Sequence, residues 1–242
     1  MNTFSSNIVG EVWQRSLTTQ PAPSVWVVAM TAALAALLVW APGAWPVTRH
    51  VVTIAHEAAH GVTALLTGRR LHGIRLHSDT SGVTVSAGRT TGPGMVLTTA
   101  AGYVGPALLG LAAAAMLANH RAVGLLWAML ILLALVLIQV RNWFGLWSVL
   151  VSAAAVFAVS WWLEPQIQSA FAYSLTWFLL LAAPRPVLEL QRQRRGGRGS
   201  GSDADQLARL TRLPAILWVG FFLVVTVGAL AQGARWMVDA AA

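Results

Sequence analysis

Seven apolar runs, each within the span length of about 17–25 residues, leave this chain few ways to fold. Hydrocarbon offers no partner for an open backbone. Each run must therefore close its own hydrogen bonds as a helix or join a closed barrel. The runs are continuously apolar and do not alternate, which selects helices. They cover Ser24–Ala41, Pro46–Leu66, Pro93–Leu117, Val123–Val140, Trp143–Leu163, Ile167–Ala183 and Leu213–Gln232. Only Glu164 and Pro165 divide the fifth run from the sixth, so a bent or re-entrant pair is an alternative there. With 57% hydrophobic and 10% charged residues, the composition lies outside the soluble globular range. The predicted fold is an all-α polytopic membrane protein of about seven transmembrane helices.

The loops predict an orientation. All sixteen basic residues are Arg. With the amino terminus in the cytosol, thirteen of them fall on the cytosolic side. These are Arg15, the group Arg69, Arg70, Arg75 and Arg89, Arg141, and the seven from Arg185 to Arg212. Only Arg49, Arg121 and Arg235 fall on the far side, a positive-inside pattern that leaves the carboxy terminus outside. The net charge of +8 is explained by loops facing anionic lipid, and no nucleic-acid partner is expected. The expected location is the cell inner (plasma) membrane. Residues 1–23 lack a basic start followed by an apolar core, and read as a cytosolic leader without a cleaved signal.

Between the second and third runs the pattern changes. In 71–87, Ile74-Arg75-Leu76-His77 and Val83-Thr84-Val85-Ser86 alternate around Asp79-Thr80-Ser81-Gly82. This predicts a small cytosolic β-hairpin whose edge is able to accept an extended peptide by strand addition. His72 and His77 read as surface histidines. The small residues of Thr98–Gly110 predict close helix packing. Residues 184–202 read as a basic flexible linker, and 203–242 as an acid-bearing segment plus the last span. The core, 24–183, contains the helix 46–66 and the hairpin.

Inside helix 46–66 lies His56-Glu57-Ala58-Ala59-His60, an HExxH motif. Positions i and i+4 share a helix face, so both imidazoles reach one metal ion. Glu57 lies one step round, where a general base for a metal-activated water belongs. Two histidines and a carboxylate are costly in hydrocarbon, which makes the cluster a functional site by default. The sequence has no Cys, so thiolate metal sites, disulfides and cysteine nucleophiles are excluded. A hydrolytic zinc takes three protein ligands and leaves one position open. No third His follows at short spacing. The topology sets aside Glu164 and Asp239, and Glu11 lies in the polar leader, which leaves Asp79, Glu189, Asp203 and Asp205. Asp203 and Asp205 also suit the first turn of a helix capped by Ser202. If the helix exits near Leu66, His60 lies about 9 Å and His56 about 15 Å below the surface.

The HEAAH helix followed by Gly61, the hairpin, the AAGYVGP stretch, the Arg141–Gly145 step and the late Ser202-Asp203-Ala204 element resemble the site-2 protease family of intramembrane zinc metallopeptidases. The likeness is to its short bacterial branch without a PDZ domain and extends from about Trp45 to Gln232. The resemblance implies Zn²⁺ held by His56, His60 and a later Asp, with Asp203 first and Asp205 in reserve. It implies Glu57 as catalytic base, and hydrolysis of a peptide bond in a single-span membrane protein near the cytosolic face. Asn142 is a candidate to hold a substrate strand. The Asn-Pro-Asp-Gly and Leu-Asp-Gly sequences that carry the Asp in better-known members do not occur here. Two other readings compete: a transporter or metal-handling protein whose ion path is lined by His56, Glu57 and His60, and a catalytically silent scaffold.

Overall fold

The computed structural model describes residues 10, 14–196 and 201–241. Seven long helices stand where the apolar runs predict spans. They are α1 (Val25–Trp40), α2 (Trp45–Leu66), α3 (Pro93–Ala118), α4 (Ala122–Gln139), α5 (Trp143–Trp162), α6 (Pro165–Ala182) and α9 (Ala215–Asp239). Two shorter helices, α7 (Pro184–Arg195) and α8 (Asp203–Thr211), lie between α6 and α9. Thus the first part of the expected linker 184–202 is helical, and α7 continues α6 almost without a break. Glu11 and residues 197–200 lie outside the described residues.

Five runs are long and apolar enough to cross a membrane: α3, α4, α5, α6 with α7, and α9. The count becomes six if α1 and α2, bent by 100° at their junction, form one broken span. The physical reason is local. Sixteen residues of α1 reach about 24 Å at 1.5 Å per residue, short of a hydrocarbon core of about 30 Å. Helix α2 is diluted by Arg49, His50, His56, Glu57 and His60. Two spans separate the hairpin from Val140–Asn142, and two more separate that point from α8. If each of these helices crosses the membrane, all three share one side, whether α1 and α2 count as one span or two.

Helix α1 buries the stripe Val28, Thr31, Ala35 and Val39, and leaves Trp26, Met30, Leu37 and Trp40 exposed, as a lipid-facing helix does. The main core joins α1, α2, α3, α4, α6 and α9 around Trp45, Val52, Leu126, Tyr173 and Leu180. A second cluster, Val187, Leu190, Ala204, Leu207, Val219 and Phe222, welds α7, α8 and α9 together. A third, Ile54, Ile74, Leu76 and Val149, packs the hairpin onto α2 and α5.

The hairpin consists of β1 (Arg70–Leu76) and β2 (Gly82–Ala87), antiparallel, with Ile74 opposite Thr84 and Leu76 opposite Gly82. It stands at the residues read from the sequence, and it is folded back along α2. At its turn Thr53 Oγ1 donates to the Thr80 carbonyl at 2.9 Å. Val140–Asn142 seals the outer edge of β1. Arg141 N donates to Ile74 O at 2.9 Å, and the Asn142 side chain both accepts from Leu76 N (3.1 Å) and donates to Leu76 O (2.7 Å). Gly73, at φ +147°, permits this approach, since a Cβ there would overlap the Arg141 side chain. Among the described residues no strand pairs with the outer edge of β2.

Candidate metal centre

The i, i+4 spacing on α2 brings His56 Nε2 and His60 Nε2 to 3.1 Å from each other. His60 Nδ1 lies 2.7 Å from the Thr98 carbonyl of α3. A carbonyl only accepts, so Nδ1 carries a proton, which leaves Nε2 as the nitrogen that can bind a metal once it is deprotonated. Tyr103, one helical turn further along α3, sets its ring against the edge of His56 at 5.0 Å and stacks on Phe222 of α9. Gly102 makes room for both imidazoles. A Cβ on it would sit 2.5 Å from His56 Nε2 and 2.6 Å from His56 Cε1. A Cβ on Gly105 would collide with Ala59. The small residues expected to serve close packing do so here, directly behind the histidines.

Asp203 arrives from the far end of the chain. It is the first residue of α8, behind the Ser202 cap, and its Oδ2 lies 3.3 Å from each Nε2. The potential ligand atoms of His56, His60 and Asp203 all lie within 4.8 Å of one another. Burial opposes ionisation of Asp203, but the two imidazoles outweigh it and hold the carboxyl well below the usual carboxylate range. Once both imidazoles are neutral, they and the carboxylate form a suitable donor set for zinc, with one position left for water or substrate. The residues present fit that ion.

The other three acids are committed elsewhere. Asp205 is ion-paired with Arg194 and accepts from Ser202 Oγ at 2.8 Å. Against the cost of burial, those partners lower its pKa. Asp79 is held in the hairpin turn by Ser81 N (3.0 Å) and Ser81 Oγ (2.6 Å). Glu189 accepts from Trp45 Nε1 at 2.9 Å and Arg185 Nε at 3.1 Å, and pairs with Arg49 at 3.0 Å, so Arg49 lies beside α7 although the loop count put the two on opposite sides.

Glu57 is 5% exposed. Its Oε2 accepts from Thr84 Oγ1 of β2 at 2.6 Å. Asn142, expected at the substrate, has both ends of its amide engaged by Leu76 of β1. Sequence reasoning singled out neither Thr84 nor Thr98. The alternation Val83-Thr84-Val85 places Thr84 on the face opposite the two valines, but nothing local says which helix that face meets.

A cavity of about 660 Å³ lies on the opposite face of α2, between Val51, Ala58, Val62, Leu108, Leu132 and Phe171. Among the described residues, Gln139 and Ser152 are the only polar ones lining it. Such walls cannot pair with the amides of an unwound peptide.

No curated protein and no solved structure matches the chain. A family model described as Peptidase M50B-like matches residues 29–233, a range that includes His56, Glu57, His60 and Asp203. That match covers most of the sequence, and the chain belongs to the Peptidase M50B-like family, among the site-2 proteases.

Proposed function

We propose that this protein is a zinc-dependent intramembrane endopeptidase that cuts a membrane-embedded protein near the cytosolic face. The observation that carries the reading is the convergence of Asp203 on two imidazoles from a segment more than 140 residues earlier, beside a buried glutamate. His56, His60 and Asp203 would hold the ion. When bound, zinc supplies a Lewis acid that makes a water acidic near neutral pH and polarises the scissile carbonyl. Glu57 takes the proton of the attacking water and hands it to the departing amine.

The substrate is a single-span protein. Its helix must unwind locally, because helical carbonyls are already hydrogen-bonded. Strand β2 meets Glu57 through Thr84, and among the described residues no strand pairs with its outer edge; an extended segment pairing there would satisfy amides that lipid cannot. The reading that the hairpin, Asn142 and α8 face the cytosol is supported by the arginine-rich loops, which favour that side under the positive-inside rule.

The test is metal removal. Full-length protein in lipid nanodiscs is incubated with single-span membrane proteins, and fragments are measured before and after chelation. Cleavage is expected to stop on chelation and to return with added zinc. Cleavage that continues in metal-free protein contradicts the proposal.

A further inference from the structure

A glutamate side chain has three rotatable bonds, and a helix alone does not select among their combinations. In Glu57 the selection comes from the hairpin. Thr84 Oγ1 lies 2.6 Å from Glu57 Oε2 and 3.0 Å from the Glu57 carbonyl, so the hydroxyl spans side chain and backbone of one residue. Gly82 is two residues earlier, hence on the same face of β2. A Cβ on it would stand 2.5 Å from Glu57 Cγ, 2.7 Å from Oε1 and 2.8 Å from Cδ. Thr84 is thus the donor and Gly82 the space that one rotamer of Glu57 requires. Oε1 has no hydrogen bond among the described residues, so it is the oxygen left for proton transfer.

The strand is itself held. Thr84 pairs with Ile74 and Gly82 with Leu76. Ile74 and Leu76 are each 2% exposed and are bonded to Arg141 N and the Asn142 amide respectively. A connected series of contacts therefore runs from the start of α5 through β1 and β2 to the glutamate.

Resting on the reading of Glu57 as the base, we infer that Thr84 and Gly82 are positioning residues, which fix the Glu57 carboxylate from the hairpin and leave one oxygen free to accept a proton. Thr84 acts through Glu57 and touches no reacting atom.

Two measurements test this. The first is steady-state cleavage with zinc content. Thr84→Val is expected to lower kcat about 10- to 100-fold, the effect of a misplaced group, with KM and bound zinc unchanged. Thr84→Ser, which keeps the hydroxyl, restores most of the rate, and Gly82→Ala behaves like Thr84→Val. The second is thermal melting of metal-free protein. Thr84→Val is expected to lower the melting temperature by about 2–4 °C, and by less when Glu57 is already Ala. A wild-type kcat in Thr84→Val, or equal melting shifts in the two backgrounds, overturns the inference. If the wild-type protein cleaves nothing, the protease reading fails by itself, and the melting comparison still decides whether Thr84 holds Glu57.

Discussion

Glu57→Gln is expected to retain bound zinc and to lose about 10²- to 10⁴-fold in kcat, the contribution of a positioned general base. That range corresponds to about 3–5 kcal/mol of barrier. Gln has nearly the same shape, and its amide oxygen still accepts from Thr84 Oγ1, so the cradle on β2 is kept. What it lacks is a basic oxygen. Glu57 is not among the converging ligand atoms, so metal content should not change. Single-turnover cleavage together with metal analysis on the same sample checks both halves. Cleavage at the wild-type rate would remove Glu57 from the mechanism. Loss of the metal would mean that Glu57 is a ligand instead.

Asp203→Ala is expected to abolish both stable zinc binding and cleavage. Removing even a partner that only orients a ligand typically costs about 10- to 100-fold in metal affinity. Deleting a ligand should exceed that. The competing role for Asp203 is electrostatic. An acid in the first turn of a helix favours the dipole by about 0.3–1 kcal/mol, and a variant losing only that would keep its metal. Asp205→Asn is the matched control. Asp205 occupies the same first turn but faces Arg194 and Ser202, so its loss should leave zinc binding near the wild-type level. Titration of zinc into the two variants reads the difference. Equal zinc affinity in both would contradict the assignment of Asp203.

The comparison of these two acids shows where sequence reasoning reached and where it stopped. The meeting of His56 and His60 was legible because their relation is set within one helical turn. The long helices were legible because lipid demands continuous apolar runs, and the alternation of 71–87 was enough to place the hairpin. The choice among Asp79, Glu189, Asp203 and Asp205 was not a local matter. Residues two positions apart on a helix, as Asp203 and Asp205 are, differ by about 200° in direction. Which of Asp203 and Asp205 faces α2 depends on Ala204 and Leu207 packing against Val187 and Phe222. No spacing rule encodes that contact. The same holds for the hairpin, whose alternation predicts strands but not that they lie along α2 with Thr84 on Glu57. Hydropathy also could not show the 100° bend between α1 and α2, because a bend leaves average apolarity unchanged. Helix α7 was read as part of a flexible linker because its arginines and the glycines after it dominate the composition. In the structure, burial of Val187 and Leu190 outweighs that signal.

The central claim is that one divalent cation sits between His56, His60 and Asp203. X-ray absorption at the zinc edge of purified, zinc-loaded protein tests it most directly. The account predicts about one zinc per chain, with two imidazole nitrogens and light oxygen ligands at about 2.0–2.2 Å. It also predicts that the oxygen shell loses a ligand, or the metal is lost altogether, in Asp203→Ala. Protein that takes up no zinc, or a first shell containing fewer than two imidazoles, would contradict it.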